Sequence, residues 1–136
     1  MSVNESSRTA SKLQASVMAK SLAVYTIRIC TNEKNFDPKY RACMTDKIIS
    51  DAIDIFRCVW TANNIRVASE EGWKRREALQ KRAVQYCNDL LALISLAKPL
   101  FHLTTKRTEF WIGQTIEVRN TILGWHDSDR QRYKGM

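Results

Sequence analysis

The chain has 136 residues, of which 22 are Lys or Arg and 14 are Asp or Glu, so its net charge is +8. This length allows one domain with a substantial core but is short for two, and no apolar run approaches the roughly 20 residues that cross a bilayer. The sequence contains four Gly and two Pro, which is few for the turns of a sheet and favours long helices with short connections.

Residues 1–10 consist mainly of Asn, Glu, Ser, Arg and Thr, a composition too polar to bury itself, and they predict a disordered tail. This segment lacks the charged and then apolar layout of a secretory signal, so we expect a cytoplasmic protein. Over residues 11–31, apolar residues that include Leu13, Val17 and Leu22 return mostly at three- and four-residue steps. That spacing predicts the first helix.

The second helix is predicted over residues 37–64. Asp37 can accept a hydrogen bond from an unpaired backbone amide, and Pro38 at the first helical position loses nothing by lacking an N–H. An apolar stripe from Ile48 to Trp60, with charged residues on the opposite side, is typical of a helix that faces a core.

The third helix is predicted over residues 69–101. Ser69 supplies a capping hydroxyl at its start. Apolar residues from Leu79 to Leu100 alternate three- and four-residue steps, which is the period of packed antiparallel helices. Because Pro99 cannot donate a backbone hydrogen bond, we expect the helix to kink or end just before Phe101.

The fourth helix is predicted over residues 105–125, with Thr104 or Thr105 as its cap. Residues 127–136 are basic and lack an apolar stripe, which predicts a flexible basic C-terminal tail. Together these elements predict an all-α fold. We expect an antiparallel up-down four-helix bundle over residues 11–126, with disordered N- and C-terminal tails.

Residues suited to catalysis or metal binding are sparse. The four cysteines are widely spaced within predicted helices, which favours buried thiols over a zinc site built from close Cys or His pairs; they are Cys30, Cys43, Cys58 and Cys87. His102 and His126 stand alone, and the sequence has no phosphate-binding loop and no nucleophile elbow. We expect no enzyme activity, no cofactor and no metal, although a Cys and a His that meet only in the fold would leave catalysis open.

Four tryptophans are candidates either for the core or for stacking on bases. Trp60, Trp111 and Trp125 lie on or beside the predicted apolar stripes, so packing is the favoured interpretation for these three. Trp73 is the exception, because it lies near a helix start and beside cations.

Basic residues form a band on the third helix. Lys74 and Lys81, seven residues apart, share the outward stripe, and Arg75 and Arg82 share the neighbouring stripe, with Arg76 nearby. Further cations of the fourth helix and the tail can extend this surface toward phosphates; they are Lys106, Arg107, Arg119, Arg130, Arg132 and Lys134. The alternative is a solvated face, since the five cations of residues 70–82 stand against three acids, a net charge of +2.

Three stretches carry a family resemblance, namely residues 90–98 (LLALISLAK), 106–110 (KRTEF) and 122–125 (ILGW). They resemble the accessory variability proteins of diversity-generating retroelements. Those proteins belong to a broader four-helix-bundle family, which includes proteins encoded in intervening sequences of bacterial 23S ribosomal RNA. The resemblance spans about residues 16–127 and involves mainly core and turn residues.

The resemblance implies a non-catalytic, basic, homopentameric accessory subunit that binds the retroelement reverse transcriptase and its template RNA or cDNA during mutagenic reverse transcription. Catalysis would belong to the polymerase. The alternative is an intervening-sequence-type bundle, or another helical adaptor, that contacts proteins without binding nucleic acid. The net charge favours a polyanionic partner, although many helical proteins are basic for solubility alone.

Overall fold

The computed structural model describes the backbone of residues 2–136 and the side chains of residues 12–136. Over this part of the chain there are no strands and four α-helices: α1 (Ser2–Cys30), α2 (Asp46–Asn63), α3 (Glu70–Leu100) and α4 (Thr105–Arg132). Helix α1 packs against α2 and α4, and α3 packs against the same two helices. The predicted all-α four-helix bundle is therefore confirmed.

The second helix begins differently from the prediction. Asp37 does cap the segment, accepting a hydrogen bond from the Lys39 amide at 3.0 Å. The next residues, however, form a 3₁₀ turn (Pro38–Tyr40) and a π-helical turn (Arg41–Thr45), and α2 itself starts at Asp46. The predicted start of a regular helix at residue 37 is wrong, because Phe36 and Tyr40 pack on Phe101, with ring centroids 4.5 and 5.7 Å apart, and this packing draws the segment across the end of the bundle.

The predicted ends of the third helix and the start of the fourth are confirmed. Ser69 accepts a hydrogen bond from the Gly72 amide and Thr104 accepts one from the Arg107 amide, each at 3.2 Å. Helix α3 ends at Leu100, one residue after Pro99. Each of the two caps satisfies an amide that has no partner within its own helix.

The C-terminal boundary requires a correction. Helix α4 continues to Arg132, so the predicted end at residue 125 and the flexible tail over residues 127–136 are wrong. Asp129 is fully buried, and the Tyr133 ring packs on Trp73 with centroids 5.3 Å apart, which orders this segment. The disordered tail predicted for residues 1–10 falls outside the residues whose side chains are described.

The core is apolar, and its largest fully buried side chains are those of Trp111 and Trp125. The Trp111 indole N–H donates a hydrogen bond to the Thr26 hydroxyl at 3.1 Å, so its polar atom is satisfied. The other two tryptophans reverse the prediction, since Trp60 is 57% exposed and Trp73 is 8% exposed. Trp60 therefore lies beside the core stripe rather than on it.

Two leucines of α3 provide a matched test of the packing. Leu90 is fully buried and Leu96 is 55% exposed. The substitution Leu90→Ala should lower the free energy of unfolding by about 2–5 kcal/mol, because it leaves a cavity. Leu96→Ala should change it by about 0.5 kcal/mol or less. Urea unfolding followed by circular dichroism measures both changes, and equal losses would contradict the described core.

Candidate nucleic-acid interface

The packing of α3 against α4 brings two basic segments together at one end of the bundle. His126 Nε2 lies 2.8 Å from Glu77 Oε2, and Arg119 donates a hydrogen bond to Asn88 at 3.0 Å, so the two helices run antiparallel. The start of α3 therefore lies beside the end of α4. We call residues 66–82 and 127–134 the basic end; together they carry nine Lys and Arg against five Asp and Glu.

Four exposed cations of α3 form the most accessible part of the basic end. Lys74 lies 3.0 Å from Glu70, and Lys81 lies 4.0 Å from Glu77. Among the ion pairs of the described residues, none involves Arg75 or Arg82. Exposed ion pairs contribute little to stability, about 0–1 kcal/mol each. Lys74 and Lys81 can therefore leave their acidic partners and bind a phosphate.

The other predicted cations divide between the two ends of the bundle. Arg130 and Arg132 lie at the basic end, where they pair with Asp127 at 3.7 Å and Asp129 at 3.4 Å. Arg119 lies midway along α4. Lys106 and Arg107 are exposed in the first turn of α4, about 36 Å from Arg130 along the helix. Apart from Arg76, the structure therefore places seven predicted cations at the basic end, Lys134 among them, and separates Lys106 and Arg107 from them.

Arg76 is not part of the exposed band, and this part of the prediction is wrong. Its side chain is 5% exposed and points into the bundle. Its Nε donates a hydrogen bond to the Ala62 carbonyl at 3.2 Å, and a terminal nitrogen bonds the Ile65 carbonyl. The guanidinium thus binds the carbonyls where α2 ends and also lies 3.3 Å from Asp129.

Asp129 is the buried partner of Arg76. Its carboxylate is fully buried, and its Oδ2 accepts hydrogen bonds from Arg76 at 3.3 Å and from the Gln80 amide at 2.9 Å. A buried carboxylate is unfavourable unless a cation and hydrogen-bond donors satisfy it. The sequence gave one indication that Asp129 is buried, because the three- and four-residue steps from Trp111 to Trp125 continue to Asp129.

A cleft of about 570 Å³ opens beside this buried pair. Residues of α1, α2, the connection to α3, α3 itself and the end of α4 line it, among them Lys12, Asn63, Arg66, Arg132 and Tyr133. Burial is the largest influence on Lys12 and lowers the pKa of its ammonium group, and the nearby Arg76 and Arg132 lower it further against the opposing effect of Asp129. Positive charge is therefore concentrated around this opening.

An acidic groove lies elsewhere on α3, where it meets α2. Asp46, Asp51 and Asp89 line it. Burial, followed by the charges of Asp89 and Asp54, raises the pKa of Asp51 from its ordinary 3.8 to about 6. Because this groove repels phosphate and the basic end attracts it, the charges of α3 favour nucleic-acid binding at the end of the bundle rather than along its length.

Apolar side chains are exposed on the neighbouring helices α1 and α2. Leu13, Val17 and Trp60 are each more than half exposed. The two helices meet where the Asn63 amide donates a hydrogen bond to the Lys12 carbonyl at 3.3 Å. We call these three residues the apolar strip.

Features that would indicate a metal site, a membrane span or a reactive cysteine are sparse in the described part of the chain. No group of three or more His, Cys, Asp or Glu side chains suited to a metal ion occurs there, and no described helix is both long and apolar enough to cross a bilayer. Burial raises the pKa of the Cys30 and Cys87 thiols to about 12, which keeps both protonated at neutral pH. Cys43 is exposed, contrary to the prediction that the cysteines are buried.

Comparison of the chain with protein-family models, with characterised proteins and with solved structures finds no match. The resemblance to accessory variability proteins therefore remains a prediction. The charge and geometry of the basic end, together with the apolar strip, are the structural features that bear on function.

The raised pKa of Asp51 gives a pH-dependent prediction. Between about pH 3.8 and 6 the folded state holds a proton on Asp51 that the unfolded state has released, so the contribution of this group to stability falls as the pH rises. Asp51→Asn should therefore increase the free energy of unfolding at neutral pH, and this gain should disappear as the pH falls toward 3.8.

Urea unfolding at a series of pH values measures the effect. Asp127→Asn is the matched control, because Asp127 is exposed and lies 3.7 Å from Arg130; its loss should give no gain in stability. A neutral or destabilising effect of Asp51→Asn at neutral pH would contradict the burial and repulsion described for Asp51.

Proposed function

We propose that this chain is a non-catalytic, cytoplasmic accessory subunit of a diversity-generating retroelement. In this role it binds the reverse transcriptase and its template RNA or cDNA through the basic end during mutagenic reverse transcription. The polymerase supplies the catalysis. The resemblance of residues 90–98, 106–110 and 122–125 to accessory variability proteins supports the assignment, as does the net charge of +8.

The observation that carries the proposal is the placement of cations from two helices at the same end of the bundle. Lys74, Arg75, Lys81 and Arg82 of α3 lie on the part of that helix that packs beside the end of α4, where Arg130 lies. Phosphate binding depends on the number of cations that reach the backbone and not on a fixed spacing. At the basic end, Trp73 is buried and Tyr133 is half-buried, so we expect binding with little sequence preference.

The apolar strip supports the oligomeric part of the proposal. Accessory variability proteins are expected to be homopentamers, and self-association through Leu13, Val17 and Trp60 would remove exposed apolar surface from water. Five copies would multiply the positive field and strengthen the attraction for RNA.

The same strip favours a second candidate, a helical adaptor of the intervening-sequence type that contacts proteins without binding nucleic acid. Gene context separates the two. A reverse-transcriptase gene with a template and variable repeat beside this gene favours the retroelement role, whereas a location within a 23S ribosomal RNA insertion favours the adaptor.

The charge-reversal variant Lys74→Glu, Arg75→Glu, Lys81→Glu and Arg82→Glu tests the interface. Single-stranded template RNA should bind it far more weakly than the natural chain. The slope of log affinity against log salt should decrease by about 0.7 for each phosphate that the variant no longer neutralises, because fewer counterions are released. Filter binding over a salt series measures both quantities.

The matched control reverses four exposed cations outside the basic end, namely Lys20, Arg28, Lys34 and Lys47. Both variants have the same net charge, so a difference between them reports on the location of the charge. Circular dichroism and sizing confirm that helicity and oligomer size are unchanged. Equal RNA affinity for the two variants at low and moderate salt would contradict the basic end as the interface.

A further inference from the structure

The cleft beside the Arg76–Asp129 pair is lined by more positive than negative groups. Lys12, Arg66, Arg76 and Arg132 line it together with one carboxylate, that of Asp129, among the described residues. Arg76 lies 3.3 Å from Asp129 and matches its charge. The charges of Lys12, Arg66 and Arg132 are therefore left in excess around the opening.

The surroundings of two of these cations leave a donor unpaired or disfavour the positive charge. Arg132 Nε is buried and has no hydrogen-bond partner in the described part of the chain, although a terminal nitrogen of the same side chain lies 3.4 Å from Asp129. Burial and the charges of Arg76 and Arg132 both disfavour the charged form of Lys12 and lower its pKa. An anion in the cleft would relieve the repulsion among the cations and favour the charged form of Lys12.

The geometry points to a binding site for a phosphate monoester, with Lys12 and Arg132 contacting the phosphate oxygens. A phosphate monoester is compact and doubly charged near neutral pH, and its oxygens match the planar fork of an arginine. The volume of about 570 Å³ lies within the range of small-molecule sites, about 300–1,000 Å³. The cleft therefore has room for the molecule that carries the phosphate as well as for the phosphate.

The other lining residues suit the remainder of such a molecule. Tyr133, which is half-buried, offers aromatic surface, and Asn63 and Asn64 offer amide donors and acceptors. Asn63 Oδ1 is buried without a hydrogen-bond partner among the described residues.

This inference goes beyond the proposed function and does not depend on it. The exposed cations that would meet the RNA backbone, Lys74, Arg75, Lys81 and Arg82, do not line this cleft. A chain that does not bind template RNA could still bind a phosphate monoester, and a chain that binds template RNA could lack the phosphate site.

Titration of the full chain with inorganic phosphate, followed by calorimetry at constant ionic strength, tests the site. We expect saturable binding. Lys12→Met and Arg132→Met should each weaken it by about tenfold, because each removes a charged hydrogen-bond donor. Circular dichroism confirms that the variants are folded. If the loss of Arg132 disturbs the buried Asp129, the Lys12→Met variant alone tests the phosphate site.

Lys20→Met and Lys34→Met are the matched controls. Both residues are exposed outside the basic end and neither lines the cleft, so each substitution removes the same charge but no group that faces the phosphate. Their effect should stay below about twofold, as expected for exposed charges that salt screens. The absence of saturable binding, or equal losses from the cleft variants and the controls, would overturn the proposal.

Competition between short oligonucleotides and inorganic phosphate identifies the source of the phosphate. Displacement by a 5′-phosphorylated oligonucleotide, and not by its 5′-hydroxyl counterpart, supports the site and assigns it to a nucleic-acid end. Saturable phosphate binding that neither oligonucleotide displaces supports the site and assigns it to a free phosphate compound. Displacement by both oligonucleotides equally would overturn the monoester assignment in favour of backbone binding.

Discussion

A guanidinium and a carboxylate that are both removed from water, those of Arg76 and Asp129, fix the arrangement of one end of the bundle. A buried ion pair tolerates little displacement, because a shift that separates the charges leaves each of them desolvated and uncompensated. Arg76 also binds the Ala62 and Ile65 carbonyls, so a single side chain connects the end of α2, the start of α3 and the end of α4. The basic end and its cleft both depend on that connection.

The charge of the protein is therefore distributed unevenly. Residues 66–82 and 127–134 hold an excess of four positive charges, half of the net charge of the chain. The groove around Asp51 is acidic instead, and burial together with the charges of Asp89 and Asp54 raises the pKa of Asp51. An RNA strand that approaches such a molecule is attracted to one end and repelled from a groove on its side. In the proposed role, the exposed arginines and lysines would meet the RNA backbone without selecting a sequence.

The periodicity of the sequence predicted all four helices, but it predicted only some of the residues at which they begin and end. Ser69 and Thr104 were identifiable as caps because capping depends on residues three positions away. The turns before α2 were missed because they depend on Phe36 and Tyr40 packing on Phe101, more than 60 residues further along the chain. Local patterns contain no information about such an interaction.

The same limit explains the errors at the candidate site. Asp129 was assigned to a solvated tail, as is usual for a charged residue, because its partner Arg76 is 53 residues away. Arg76 was grouped with its exposed neighbours for the same reason. Trp73 is buried by His126 of α4 and by Tyr133, which directly follows α4, so its burial depends on how far α4 extends. The exposed positions of Lys74, Arg75, Lys81 and Arg82, in contrast, followed from helical periodicity alone.

Purification of the chain together with the reverse transcriptase and template RNA encoded nearest to its gene tests the proposed role most directly. The mass of the recovered complex is measured over a salt series. We predict several copies of this chain bound with one polymerase and the RNA, in a complex that dissociates as the salt concentration rises. An oligomer of this chain alone, recovered at low salt without polymerase or RNA, would contradict the role and favour the adaptor.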